Sequence, residues 1–366
     1  MLFFVTVVIN GIIAFMKKNN FFIPLVGFLV LAWISGTMVS GFSFDTDAYE
    51  LLYPMNPSTH RFEQGYMQLS YWSYTHGLSY SDFRLYYFLI AFSVFFIAIC
   101  RFTKNRSLYL FLFSFFPFLN EASQVRNFMM YAWVLLGISF LINKTLRNTI
   151  FAIIFVTIGF LFQTTGIVFY FVIFLRYIPF SFIKKSTKII APVSILLGLL
   201  FYASGSSGLV AKILSFVTSL SNRQDTAEIL AANGFGNRNI LQTMGVVLTY
   251  LISLYAIEIM LDVKHDSKTI QSKMELLYMI VIIGLFFIPV IFVSFNFERI
   301  LRNSVNALIL AFTVYTYPNK VKFKGTLGTL LTVIILCGMI SKGYFLNEYG
   351  KMGSYVPYIL HIKSTE

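Results

Sequence analysis

Long apolar stretches, repeated along the chain and separated by short polar connections, constrain this sequence most, because about 20 apolar residues are what a helix needs to cross a hydrocarbon core. They run roughly over 1–16, 21–41, 85–100, 107–119, 124–142, 149–175, 189–203, 239–261, 276–297, 300–317 and 326–341. The stretch 149–175 is too long for one ordinary span and is interrupted by Gln163, Thr164, Thr165 and Gly166. It reads as two helices meeting at a polar turn. The expected fold is all-α, a polytopic integral membrane protein of about twelve helices, some short or broken, in one membrane-embedded unit over 1–366. Composition agrees, since 57% of residues are hydrophobic and 12% charged, against about a quarter charged in soluble domains. Residues 1–16 lack a basic leader and a small-residue cleavage site, so they read as a first span and not as a removable signal peptide.

The net charge of +13 does not point to nucleic acid, because the basic residues are spread between apolar stretches instead of gathered in a block. They alternate. If the connection after the first span is cytoplasmic, the basic loops near 101–106, 143–148, 176–188, 262–275 and 318–325 all fall inside, with 17 of the 28 basic residues on that side. The positive-inside rule then puts the segments 41–84 and 204–238 outside. Thirteen of the 17 inner basic residues are Lys, whereas seven of the 11 outer ones are Arg: Arg61, Arg84, Arg126, Arg223, Arg238, Arg299 and Arg302. Topology does not require outer arginines. Their planar, permanently charged forks suit phosphate, so the enrichment points to an anionic ligand on that side. The alternative is that each is an ordinary loop or snorkelling residue.

The segment 41–84 is the richest in polar and hydrogen-bonding aromatic residues, with Asp45, Asp47, Glu63 and Arg61 among Tyr49, Tyr66 and Trp72. That mixture suits sugar binding or acid–base work. Glu63 stands beside Arg61 and before Gly65, which reads as a turn presenting the carboxylate. Asp45 and Asp47 have a D-x-D spacing able to chelate a divalent ion, but acid–base or hydrogen-bonding use ranks above metal binding. Arg126, near the outer end of an apolar helix, carries a charge that is costly in a membrane and so calls for a partner or a task. Glu298 and Arg302 have ion-pair spacing on a helix, and Arg299 and Arg302 can share a face. Gln163 can satisfy backbone groups freed by the helix break, or bind a ligand. The segment 204–238 opens on a Ser/Gly run and carries an amphipathic piece that reads as a lid on the membrane surface. Cys100 and Cys337 lie in apolar stretches and form no metal or disulfide motif. Nucleotide-binding and hydrolase signatures are absent from the sequence.

Asp45-Thr46-Asp47-Ala48-Tyr49, then Phe62-Glu63-Gln64-Gly65-Tyr66, then Val125-Arg126-Asn127 opening an apolar helix, then the broken helix at Gln163, together resemble the EpsG-like branch of the Wzy polysaccharide polymerases. The E-R-x-x-R of Glu298 to Arg302 and the tail at 355–358 are similar to that branch too. Members often have Gln after the helix-opening Arg and His in the broken helix, whereas this chain has Asn127 and Gln163. Gln cannot act as a base at neutral pH.

The resemblance implies a membrane glycosyltransferase of GT-C-like architecture, without cofactor or metal, in a bacterial cytoplasmic membrane with its active site facing outside. It would join oligosaccharide repeat units, moving the growing chain from undecaprenyl pyrophosphate to the next lipid-linked unit. A flippase and a chain-length regulator are the expected partners. Arg126, Arg299 and Arg302 would bind the pyrophosphate, and Arg61, Arg223, Arg238, Glu298 and Gln163 would line the substrate site. Glu63, Asp47 and Asp45 would orient or deprotonate the acceptor hydroxyl, with Tyr49, Tyr66 and Trp72 stacking on sugars. The rival readings are a lipid-linked oligosaccharide flippase or other transporter, and an O-antigen ligase or membrane acyltransferase. A transporter should place its charges near the bilayer midplane and show related halves, and neither is evident in the sequence.

Overall fold

The computed structural model describes residues 1–16, 19–38, 44–59, 61–115, 117–203, 240–263, 267–292 and 297–316, with the side chains of 44–46, 119–120 and 241–242 left aside. The readings on 204–238, Arg223, Arg238, Cys337, the basic loop 318–325 and the tail at 355–358 lie outside the described residues. Among those residues all regular structure is helical. The chain opens with α1 (Leu2–Phe15), α2 (Phe22–Gly36), α3 (Phe44–Leu51), α4 (Gln64–Thr75) and α5 (Tyr80–Phe102). It continues through α6 (Arg106–Phe115), α7 (Pro117–Ser123), α8 (Val125–Phe140), α9 (Leu146–Phe162), α10 (Tyr170–Leu175) and α11 (Phe180–Ala203). After the segment 204–239 come α12 (Ile240–Asp262), α13 (Lys268–Ile291) and α14 (Glu298–Thr316). Four helices are long and apolar enough to cross a membrane: α5, α11, α13 and the Thr243–Asp262 part of α12. Shorter apolar helices accompany them, as befits a membrane protein with broken spans.

Each break has a local cause. The stretch 107–119 divides into α6 and α7, and Pro117 opens α7, where its missing N–H and fixed φ are compatible with a helix start but not with a helix interior. Helix α9 stops at Phe162, Gln163 is extended (φ −153, ψ 123), and a 3₁₀ turn over Thr164–Phe169 leads into α10. The chain reverses there, because the Thr157 hydroxyl meets the Tyr170 hydroxyl at 2.5 Å and Thr149 pairs with Tyr177. Two helices meeting at a polar turn is therefore what the chain forms at 149–175.

The segment 41–84 is more regular than a loop, since α3, a 3₁₀ turn at Pro57–Thr59, α4 and the start of α5 occupy much of it. Helix α4 ends where Gly77 takes φ +80 and Leu78 N–H donates to Ser73 O at 3.1 Å, a left-handed stop that suits glycine. Helix α5 then starts on Ser79, whose Oγ accepts from Asp82 N at 3.1 Å. Tyr53, Tyr74, Tyr80 and Phe83 pack their rings together under this turn. The Tyr53 hydroxyl donates to Leu78 O at 3.0 Å, and burial, with Asp82 nearby, pushes its pKa up to about 12.

The body is one continuous apolar cluster running from α2 to α14. Helices α8 and α9 cross closely, where a Cβ on Gly159 would stand 2.9 Å from Met130 O and one on Gly137 3.0 Å from Ala152 O. Small residues let helix backbones approach where lipid supplies no hydrophobic drive. Arginines and lysines gather at one end of this body. Arg176 donates to Leu141 O at 3.0 Å and pairs with Glu275 at 3.0 Å, Arg101 donates to Ser139 at 2.6 Å, and Lys273 donates to Phe102 O at 2.7 Å. These are residues that the charge alternation places inside. Arg126 and the Gln163 break stand at the opposite ends of α8 and α9.

Candidate active site

The helix break at Gln163 creates a donor as well as a reversal. Thr164 N–H has no carbonyl one turn back to receive it, and it donates instead to Glu63 Oε1 at 3.0 Å, with Thr164 Oγ1 donating to the same oxygen at 3.1 Å. Glu63 is the N-cap residue of α4, a position from which a carboxylate usually caps its own helix. Here the side chain makes no cap hydrogen bond. Its other oxygen accepts from Arg126 in a buried ion pair. Gly65 makes the approach possible, since a Cβ there would stand 2.7 Å from Leu161 O of α9.

Arg126 is the second residue of α8, near the helix end where the dipole disfavours a cation. Glu63 answers that charge. The guanidinium also donates from Nε to the Tyr49 hydroxyl at 2.8 Å and lies 4.2 Å from the Phe62 ring centroid. The pair joins residues 63 apart in sequence, from two of the motifs that carry the family resemblance. Arg126 thus has both the partner and the setting that its charge demands. Gln163 is buried, and among the described residues its Oε1 has no partner, nor has the Thr165 hydroxyl, so two further polar atoms await a hydrogen bond beside the break.

The remaining expected site residues divide. Tyr49 is buried with its hydroxyl on Arg126, so it positions the arginine instead of offering a face to sugar. Tyr66 is enclosed by Tyr49, Phe62, Phe83 and Tyr87, and burial drives its phenol well above its usual range. Its ring faces are taken up by these neighbours, so Tyr66 packs the site instead of presenting an open face for stacking. Trp72 is 57% exposed, with His76 covering one face at 4.3 Å, and so keeps a face for stacking. Asp45 and Asp47 stand on α3, where positions two apart do not share a face, which argues against a D-x-D chelate. Asp47 and Arg61 are exposed. Arg84, grouped by sequence with the outer arginines, is wholly buried. It donates to Ser35 O at 2.9 Å, Ala122 O at 2.9 Å and the Tyr80 hydroxyl at 3.2 Å. Its fork ties together the ends of α2, α5 and α7, which leaves it no part in binding a ligand.

A second polar cluster lies where α14 meets α7 and α8. Glu298 and Arg302 form the anticipated i,i+4 pair at 3.0 Å, with Arg299 half-buried beside them. The cluster also contains Glu121, a residue that sequence reasoning passed over. Its Oε1 accepts from Asn306 Nδ2 at 3.0 Å, Asn127 approaches the same carboxyl, and Tyr131 hydroxyl reaches Asn303 O at 3.3 Å. The signal was available, because the argument from intramembrane charge that singled out Arg126 applies equally to an acid five residues earlier. The first turns of α8 therefore border both clusters, through Arg126 on one and Asn127 on the other.

A model of the EpsG family matches residues 20–360. The chain belongs to the EpsG family. Membership indicates a polysaccharide polymerase, in general terms a membrane-integral, glycosyltransferase-like enzyme. The resemblance carried by the Asp45–Tyr49, Phe62–Tyr66 and Val125–Asn127 motifs is borne out, and the EpsG match takes in both polar clusters. No curated protein and no solved structure matches the chain.

Proposed function

We propose that this EpsG-family chain polymerises lipid-linked oligosaccharide repeat units at the outer face of a bacterial cytoplasmic membrane, using undecaprenyl pyrophosphate-linked donor and acceptor. The observation that carries the reading is the buried Glu63–Arg126 pair beside the Thr164 break. In the proposed reaction an acceptor hydroxyl attacks the anomeric carbon of the donor, the C–O bond to the pyrophosphate breaks, and the hydroxyl proton passes to Glu63. Arg126 takes the negative charge that develops on the leaving pyrophosphate, which is electrostatic stabilisation aimed at the transition state. A general base must be within hydrogen-bonding reach of the proton that it removes. Glu63 and Arg126 stand in direct contact, so one side chain can meet the nucleophile while the other meets the leaving group. Before the donor arrives each neutralises the other, which lowers the cost of holding two charges out of water. Arg299 and Arg302 add cationic charge, with Arg61, Arg223 and Arg238 supplying the approach, and Trp72 stacks on sugar.

The twelve-span, GT-C-like arrangement belongs to the same proposal, as does the outward facing of the Glu63 end. The basic residues gathered at the opposite end support that orientation through the positive-inside rule. A flippase that delivers repeat units and a chain-length regulator are the proposed partners. The test is a host lacking the gene, complemented with wild type, Arg126→Ala or Glu63→Gln, with surface glycan resolved on a gel. Loss of the long-chain ladder with single repeats retained supports polymerisation. An intact ladder at normal expression removes the substituted residue from the mechanism. Accumulation of units on the inner leaflet in the null host would mean a flippase, and loss of attachment with chain length kept would mean a ligase.

A further inference from the structure

The α7–α14 junction holds more unsatisfied polarity than a structural cluster needs. Glu121 is 5% exposed and Asn303 and Asn306 are each 2% exposed. Among the described residues, Glu121 Oε2, Asn306 Oδ1 and both amide atoms of Asn303 have no hydrogen-bond partner. A buried polar atom without a partner costs about 1–3 kcal/mol, so four on one patch are retained against a steady destabilising pressure. Had the patch served only to join helices, apolar residues of the same size would do so at lower cost. The free atoms are one carboxylate oxygen, two amide oxygens and one amide nitrogen: three acceptors and a donor.

That set matches vicinal hydroxyls, in which each O–H donates to a carboxylate or amide oxygen and each oxygen accepts from an amide N–H. It does not match a phosphate, which offers acceptors only. We propose that Glu121, Asn303 and Asn306 form a hydroxyl-binding subsite for a sugar ring of the repeat unit, separate from the Glu63–Arg126 pair. The inference rests on the polymerase reading above and assigns the sugar-recognising part of its substrate site. Asn127 links the two clusters in one turn of α8, immediately after Arg126. The Glu298–Arg302 pair borders the subsite, with the Arg302 charge felt at Glu121. A sugar seated on Glu121 would therefore lie against the same helix end that presents Arg126 to the pyrophosphate.

The test uses the purified full chain in detergent and, as probe, the neutral oligosaccharide released from the host's lipid-linked repeat unit by mild acid. Binding is read by microscale thermophoresis. Wild type should bind, Glu121→Gln and Asn303→Ala should each weaken binding roughly tenfold or more, and Thr149→Val, at the far end of α9 where its hydroxyl pairs with Tyr177, should stay within about twofold. Thermal melts check folding, and Glu121→Asp, which keeps the carboxylate, should retain part of the affinity. Unchanged affinity in both Glu121→Gln and Asn303→Ala, or no binding by wild type at millimolar probe, overturns the subsite. A drop as large in Thr149→Val would trace the losses to the fold and also overturns the subsite. Failure of the polymerase reading shows elsewhere, as an unaltered glycan ladder in the host lacking the gene.

Discussion

Replacing Glu63 and Arg126 singly and together by leucine separates what the pair does for folding from what it does for chemistry. The pair is buried on both sides, with side-chain exposure of 7% for each partner. Removing one member of such a pair leaves an uncompensated charge and typically costs about 3–5 kcal/mol. The two singles should differ. Glu63→Leu strands the Arg126 guanidinium and also both Thr164 donors, which adds about 1–3 kcal/mol. Arg126→Leu leaves Glu63 still receiving Thr164 N–H and Oγ1 at 3.0 and 3.1 Å, and removes only one donor from the Tyr49 hydroxyl. Glu63→Leu should therefore melt lower than Arg126→Leu in the same detergent. In the double variant no charge is stranded, so its melting temperature should return above that of Glu63→Leu while the glycan ladder stays absent. Melting is followed by fluorescence on the purified chain, and the ladder by gel in the complemented host. Two results would refute the reasoning. Equal melting of both singles and wild type would mean that the pair is not buried in the membrane, and a ladder made by the double variant would mean that neither residue takes part in glycosyl transfer.

Thr164→Val removes one donor to Glu63 and keeps the backbone donor, so polymer output should fall roughly tenfold, in line with a hydrogen bond to a charged group, while membrane expression stays level on an immunoblot. Gly65→Ala places a methyl 2.7 Å from Leu161 O, which pushes α4 and Glu63 away from α9. It should reduce chain length on the gel more than it reduces melting temperature. Arg84→Ala should do the reverse, lowering yield and melting temperature by leaving carbonyls at Ser35 and Ala122 without their donor. Arg84→Lys should not restore them, because an ammonium cannot reproduce the fork.

What was legible in the chain was what depends on local pattern. The spacing of apolar stretches gives helices because a membrane leaves backbone groups no other partner, and the Gln163–Gly166 interruption marks a break because it acts on neighbouring hydrogen bonds, whereas 107–119 reads as one stretch and its division at Pro117 came from the structure. Arg126 was visible as a charge in an apolar helix, and the Glu298–Arg302 pair as an i,i+4 spacing. Arg84 misled for a physical reason: a guanidinium tying three helix ends together and one binding a ligand are the same residue type in the same kind of sequence. Only the carbonyls of Ser35 and Ala122, 49 and 38 residues away, tell them apart.

The sequence by itself determined that this chain is a helical membrane protein, that the stretch 149–175 breaks at a polar turn, and which charges stand at which end, since each of these follows from hydrophobic period, backbone hydrogen bonding or charge bias within a short window. Tertiary structure decided which charges meet. Glu63 joins Arg126 only because α4 and α8 both begin at the turn after α9, and Glu121 acquires Asn306 from 185 residues away. Low dielectric makes those long-range pairings strong, and no local pattern encodes them.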